Sequence, residues 1–185
     1  GIKMTAPDGD EKTEMKEYLH DLNELYRTYP ALYSMDGNSD GFEWIQFTSS
    51  DENIVAFLRK TEKKNETLLV VCNFSPVSYD SYHVGVPFAG KYKEIFNSDN
   101  GKYGGQGVIN ARAKASVQEE CDARKNSLKL KLPAYGVAVF TCTEEKIVGK
   151  TVEKAKETAT EKTSAVKKAV RKVTARKKKT SVKKQ

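Results

Sequence analysis

The chain has 185 residues, which suits one domain with an extension, and its formal net charge of +7 is distributed unevenly. Residues 146–185 contain 15 Lys/Arg and 3 Glu, a net charge of +12, whereas residues 1–145 contain 17 basic and 22 acidic residues, a net charge of −5. No stretch resembles a signal peptide and no apolar run approaches the roughly 20 residues needed to span a bilayer, which argues against a secreted or membrane-spanning protein.

The first 30 residues divide into a lead and a helix. Residues 1–10 are polar with Gly and Pro, which predicts a disordered lead, and the start at Gly1 rather than Met favours a fragment of a longer protein. Apolar residues then recur at spacings of three and four, which predicts an amphipathic helix over Glu11–Thr28 that ends before Pro30. They are Met15, Tyr18, Leu19, Leu22, Leu25 and Tyr26. A single helix cannot bury such a stripe alone, so it must pack against a β domain or a missing partner.

The next hundred residues predict short strands separated by turn residues. The runs are Phe42–Phe47, Asn53–Arg59, Thr67–Phe74, Ser81–Val86, Lys91–Phe96, Ser127–Leu132 and Gly136–Cys142. Seven or eight strands at this spacing predict a mainly β fold, an antiparallel Greek-key β-sandwich built from residues 31–143. Thr67–Phe74 has the nearly continuous apolar content of a central strand.

Two segments depart from this pattern. The connection from Asn97 to about Asn126 is long for a compact domain and contains a glycine-rich run, Gly104-Gly105-Gln106-Gly107. That run lacks the Lys-Ser/Thr and the following helix of a phosphate-binding loop. From residue 144 to 185 the chain is a Lys-rich tail with no aromatic residue and only a weak stripe of small residues, which predicts disorder or partial helicity.

The residues with reactive side chains do not predict a catalytic or metal site. Cys72, Cys121 and Cys142 lack metal-type spacing, and three unpaired thiols are typical of the reducing cytosol. His20 and His83 have no carboxylate or Cys at ligand spacing, and the adjacent pairs Asp51-Glu52 and Glu119-Glu120 lie in loop-like stretches. We therefore expect no catalytic residue, no metal and no cofactor in this chain, and a cytoplasmic location.

Several short motifs, in order, resemble the C-terminal all-β domain of bacterial glycogen branching enzymes, members of the α-amylase superfamily. The resemblance runs from about Tyr18 to Phe140. Its motifs are Tyr18–Arg27 with Pro30-Ala31-Leu32, Gly41–Ile45, Asn73-Phe74-Ser75-Pro76, Lys91–Ile95, Asn97-Ser98-Asp99 with Tyr103-Gly104-Gly105, and Leu132-Pro133. By this resemblance, residues 11–30 are similar to the last helix of the catalytic barrel of those enzymes.

The resemblance implies an accessory role. The full enzymes cut an α-1,4 glucan and transfer the cut chain to a 6-hydroxyl, a retaining reaction that needs two carboxyl groups about 5–5.5 Å apart. In that superfamily both carboxylates belong to barrel loops, which these 185 residues do not include. The expected partners are therefore an α-glucan such as glycogen or amylose and the absent catalytic barrel of the same enzyme.

Two aromatic residues are candidates for glucan contact, because sugars stack on flat aromatic rings. Trp44 alternates along its strand with Ile45, so it faces outward if Ile45 faces the core. In the family this Trp corresponds to a position near the barrel and the glucan cleft, and sugar contact and interface packing are equally compatible with it. Tyr103 in the glycine-rich loop is the second candidate.

Two other classes of function remain open at this stage. A stand-alone glucan-binding module would retain affinity for glycogen without the barrel. The tail could instead bind anionic polymers without sequence preference through its charge of +12, although it lacks aromatic residues for base stacking. A solubilising tail with no ligand is the remaining interpretation.

Overall fold

The computed structural model describes residues 9–46 and 52–145, and it begins with a single long helix, α1, at Gly9–Thr28. The helix contains the predicted segment Glu11–Thr28 and starts two residues earlier, inside the predicted lead. A short 3-10 turn, Pro30–Leu32, follows it and redirects the chain towards the first strand. The Arg59 side chain holds this turn, because its Nε and Nη2 donate to the carbonyls of Ala31 and Leu32 at 3.1 and 3.0 Å.

Eight strands follow within the described residues, and every pair of neighbours is antiparallel. They are β1 (Phe42–Gln46), β2 (Ile54–Arg59), β3 (Leu68–Asn73), β4 (Tyr79–Val86), β5 (Gly90–Asn97), β6 (Lys114–Ala115), β7 (Asn126–Leu132) and β8 (Val137–Glu144). Six of them form one sheet in the order β1-β2-β3-β8-β5-β6, and β4 pairs with β7 in a second sheet. β1 is therefore an edge strand, while β3 is hydrogen-bonded on both sides.

The six-stranded sheet has apolar side chains on both faces. Its inner face packs against β4 and β7 in a core that includes Ile45, Val71, Tyr92, Leu130 and Phe140. Its outer face is covered by α1 in a second, smaller core built from Leu25, Ala31, Leu68, Val70, Phe96 and Val139. This explains why β3 reads as a continuous apolar run, since each of its faces packs against another layer.

These observations confirm the mainly β fold, the antiparallel sandwich and the single N-terminal helix. All strands predicted from the sequence are present with boundaries that differ by a few residues, and the two-residue strand β6 in the long connection was not predicted. Disorder was predicted for residues 1–10, and residues 1–8 of that lead lie outside the described residues, as do the segment 47–51 and the predicted tail beyond residue 145. Among the described residues, no helix has the length and apolar character needed to cross a membrane.

Candidate functional site

Trp44 is the largest aromatic side chain on the exposed side of β1. It is 47% exposed, whereas its neighbour Ile45 points into the core between the sheets and is 8% exposed. This is the orientation that the alternation along the strand predicted. The indole lies edge-on to Phe42 at 4.9 Å and to Phe57 at 5.8 Å between ring centroids, and these two phenyl rings stack on each other at 5.2 Å. The three rings form an aromatic cluster at the free edge of the sheet.

An ion cluster centred on Glu43 lies on the other side of β1, the side that Glu43 shares with Ile45. Lys60 Nζ donates to one carboxylate oxygen of Glu43 at 2.8 Å, and Arg124 Nη2 donates to the other. The same Nη2 also donates to the Trp44 carbonyl at 3.4 Å. Burial of Glu43 favours the neutral carboxyl, but the hydrogen bonds from Lys60 and Arg124 outweigh it and lower the pKa of Glu43. The ion cluster therefore holds the backbone of Trp44 through its carbonyl, on the opposite side of the strand from the indole.

Tyr103 docks the glycine-rich loop onto α1. Its ring lies edge-on to Tyr18 of the helix at 5.2 Å and tilts against Phe96 of β5 at 5.9 Å. Its hydroxyl donates to Asp21 Oδ2 at 2.7 Å, and Lys102 Nζ donates to the same oxygen. The hydrogen bonds from Lys102 and then Tyr103 hold the pKa of Asp21 well below its usual range. These contacts favour a docking role for the Tyr103 ring, while an open groove of about 690 Å³ adjoins it.

The glycine-rich loop closes around the side chain of Asp99. The carboxylate accepts hydrogen bonds from the backbone amides of Gln106 at 2.9 Å and Val108 at 2.8 Å. A Cβ added to Gly105 would lie 2.2 Å from the Asp99 carbonyl oxygen, so only glycine fits at that position. The glycines therefore serve to fold the loop tightly, and the loop presents Tyr103 to the helix in a fixed place.

The helix leaves a stripe of large apolar side chains exposed. Tyr18 and Leu25 face the sheet, whereas the neighbouring arc of the helix is 39–58% exposed and consists of Met15, Leu19, Leu22 and Tyr26. We call these four residues the helix stripe. Beside it, between α1 and the outer face of the sheet, lies an apolar groove of about 360 Å³ that Leu22, Phe57 and Val137 help to line. Contiguous exposed apolar surface of this kind is typical of interaction sites.

The reactive side chains of the described residues do not form a catalytic group. His83 Nε2 lies 2.7 Å from Ser127 Oγ and 3.9 Å from Glu119 Oε2, but Ser127 is completely buried and no substrate can reach its hydroxyl. Burial raises the pKa of Cys142 to about 12 and that of Cys121 to about 11, which keeps both thiols protonated and weakly nucleophilic at neutral pH. Within the described residues, these groups therefore do not supply an activated nucleophile.

Sequence reasoning identified Trp44 and Tyr103 but missed the residues that position them. Phe42 and Phe57 face the same side as Trp44, a signal already present in the alternation of their strands. Asp21 gave no signal, because its partners Lys102 and Tyr103 are about 80 residues away in the sequence. The structure does not bring Trp44 and Tyr103 into contact. Trp44 lies at the sheet edge and Tyr103 lies against α1.

Comparison with known proteins agrees with the mainly β architecture described above. A family model described as the alpha amylase C-terminal all-beta domain matches residues 44–143. The chain is 43% identical over 123 residues to the 1,4-alpha-glucan branching enzyme GlgB of Oceanobacillus iheyensis, which covers 66% of the chain and 19% of that relative. It is 46% identical over 126 residues to GlgB of Synechococcus elongatus, and 41% identical over 134 residues to GlgB of Trichodesmium erythraeum.

The matched region is a small part of these relatives. The alignments cover 68% of the chain and 16% of the Synechococcus protein, and 72% of the chain and 17% of the Trichodesmium protein. The chain thus spans less than a fifth of the length of the curated relatives that it matches. Within that span it is homologous to their C-terminal domain.

Proposed function

Because the chain belongs to the family of alpha amylase C-terminal all-beta domains, we propose that it acts as the C-terminal accessory domain of a glycogen branching enzyme. In this role it stabilises a catalytic barrel and contributes to binding of the α-glucan that the barrel branches. The relatives are branching enzymes by name, and the chain is homologous to their C-terminal domain. Its three free thiols support a reducing, cytosolic location.

The helix stripe is the observation that carries this proposal. A solvent-exposed apolar arc on a helix is an aggregation liability unless another surface covers it. Here the arc continues the face that packs on the sheet, so a second layer placed against α1 would bury Met15, Leu19, Leu22 and Tyr26 together. A catalytic barrel whose last helix is α1 provides such a layer.

The aromatic cluster at Trp44 is the proposed glucan contact. The exposed indole offers a flat apolar face on which a sugar ring can stack. Glu43 and Arg124 lie on the Ile45 side of the strand, and Arg124 holds the backbone behind the indole through the Trp44 carbonyl. Tyr103 is a second proposed contact through the groove beside it, although its hydroxyl is already bound to Asp21.

A hybrid enzyme tests the accessory role. The matched region of the Oceanobacillus relative is replaced by this chain, and branching is followed by the loss of iodine staining of amylose. We expect the hybrid to branch amylose and the chain alone to leave the stain unchanged. In the hybrid, Leu19→Asp with Leu22→Asp should lower the melting temperature and the activity together, because two charges would be buried at the interface.

A matched control separates an interface effect from a fold effect. Glu17→Asp with Asn23→Asp changes exposed polar residues of the same helix, and it should leave the hybrid unchanged. The isolated chain with the Leu19 and Leu22 changes should melt close to the parent, since both side chains are exposed in it. An active hybrid that is insensitive to the two aspartates would contradict the proposed interface.

In the same hybrid, Trp44→Ala should weaken glucan use more than it lowers stability. Removal of a stacking ring is expected to raise KM for amylose by about tenfold, while the melting temperature falls by only a few degrees (about 5 °C or less) because the indole is half-exposed. Steady-state kinetics and a melting curve on one preparation decide the matter. Unchanged kinetics with a large fall in melting temperature would make Trp44 a packing residue.

The charge of the tail supports a second candidate function. A net charge of +12 over residues 146–185 favours contact with anionic polymers through phosphate or sulfate groups, and such contact weakens steeply with salt. This function is independent of the helix stripe and of Trp44. A stand-alone glucan-binding module is the further alternative, and it requires that the chain bind glycogen without a barrel.

A further inference from the structure

Two neighbouring loops expose three apolar side chains that the proposed barrel contact does not use. Loop 74–78 connects β3 to β4 and carries Phe74 and Val77, which are 64% and 51% exposed. Loop 133–136 connects β7 to β8 and carries Tyr135, which is 73% exposed. We call Phe74, Val77 and Tyr135 the loop platform. Large apolar side chains at this exposure need a physical reason, because water contact with them is unfavourable.

The platform is rigid because buried polar groups join its two loops. Asn73 is 1% exposed, and its Nδ2 donates to the carbonyls of Val77 and Pro133, both at 2.8 Å. Its Oδ1 accepts from the backbone amide and the hydroxyl of Ser75 at 2.9 and 2.8 Å. The Tyr135 amide in turn donates to the Ser75 carbonyl at 3.0 Å. The loop backbones that carry the exposed rings are therefore already ordered before a ligand covers them.

Tyr135 is held in an unfavourable backbone conformation. Its φ is +47°, in the left-handed region that bulky residues rarely adopt. Gly or Asn would be the ordinary choice at such a position, and either would remove the ring. Strain of this kind persists at sites where the conformation itself is used, and here it directs an aromatic ring outward from the loop.

The chemistry of the platform indicates its ligand. Residues 74–78 and 133–136 contain no charged side chain, so the surface suits a neutral partner. Three side chains are far fewer than the roughly 20–30 residues per side of a stable protein interface. Two exposed aromatic rings with a phenol hydroxyl and the exposed Ser78 beside them match a chain of neutral, polyhydroxylated rings. We propose that the loop platform is a glucan-binding surface separate from Trp44, an inference that rests on the glucan specificity in the proposed function.

The test uses the full 185-residue chain and a neutral glucan. Native electrophoresis in gels with and without glycogen measures retardation, and titration with maltoheptaose measures affinity. Tyr135→Asn removes the ring while Asn tolerates the left-handed backbone, and Phe74→Ala removes the second ring. Each change should weaken binding by about fivefold or more. The two together should reduce retardation to the level that the proposed contacts at Trp44 and Tyr103 support. Tyr33→Ala, at an exposed aromatic residue outside the platform, should leave retardation unchanged.

Three results would overturn the inference. The first is a parent chain that glycogen does not retard, and the second is a set of platform variants that are retarded like the parent. The third is a mass of the parent that rises with concentration and that Tyr135→Asn returns to the monomer value. That result would assign the platform to contact with a second copy of the chain. Melting curves of each variant confirm that binding is compared between folded proteins. An active hybrid enzyme with unaffected platform variants would leave the accessory role intact and refute only the platform. Retardation through the platform with an inactive hybrid would refute the accessory role alone.

Discussion

Val70→Asp is expected to prevent folding of the chain. Val70 is 7% exposed and lies on the outer face of β3, where it packs under α1 with Leu25, Phe96 and Val139. It is paired with Phe57 of β2 and with Val139 of β8, and it lines the apolar groove beside α1, where a carboxylate would lie among mainly apolar side chains. An unpaired charge buried in this way costs on the order of 3 kcal/mol or more, a large fraction of the stability of a small domain.

The same substitution at an exposed valine is the control. Val117 is 45% exposed, and Val117→Asp should change the free energy of unfolding by about 0.5 kcal/mol or less. Thermal unfolding followed by circular dichroism compares the two variants with the parent. A Val70→Asp protein that melts within about 5 °C of the parent would mean that Val70 does not lie in the packed centre of the domain.

The sheet could be predicted from the sequence because period-two alternation and turn residues are local signals. The apolar run around Val70 and Val71 indicated a strand with both faces buried, and the structure gives it two cores. The same alternation predicted that Trp44 points away from Ile45. Which strands pair could not be predicted, since the order β1-β2-β3-β8-β5-β6 depends on contacts between residues far apart in the sequence.

Only part of the predicted apolar stripe of α1 packs against the sheet. Its six apolar residues span an arc of about 120° at 100° per residue, wider than one sheet contact needs. Tyr18 and Leu25 at one side of the arc pack on the sheet, whereas Leu19 and Tyr26 at the other side remain exposed. The sequence predicted that this stripe packs against a β domain or a missing partner. In the structure, only part of the stripe packs against the β domain.

The position of Tyr103 depended on information that no short segment contains. The glycine-rich run predicted a tight loop, which the hydrogen bonds of Asp99 account for. It did not predict that the loop folds back on α1, because the anchor is Asp21, some 80 residues earlier. A candidate for ligand contact was therefore found in the loop, while the residue that fixes its place was not.

Asn73→Ala is expected to destabilise the fold by about 2–4 kcal/mol, because four hydrogen bonds end on this one side chain and most of their partners are buried. Once the amide is removed, the carbonyls of Val77 and Pro133 and the amide of Ser75 lose the partner that replaced water. The loss also separates loop 74–78 from loop 133–136, so the loop platform should bind glucan less well even where the protein remains folded.

Asn100→Ala is the matched control. The Asn100 side chain also accepts a hydrogen bond from the backbone amide two residues later, that of Lys102, at 3.1 Å. This bond lies on an exposed turn. Water can replace that bond, so its loss should cost about 1 kcal/mol or less. Urea unfolding of both variants gives the two free energies, and unequal slopes would reveal a change in the unfolded state instead. Equal destabilisation by the two substitutions would show that burial of Asn73 adds nothing. A much larger effect at Asn73 would identify its amide as the group that holds both loops in place.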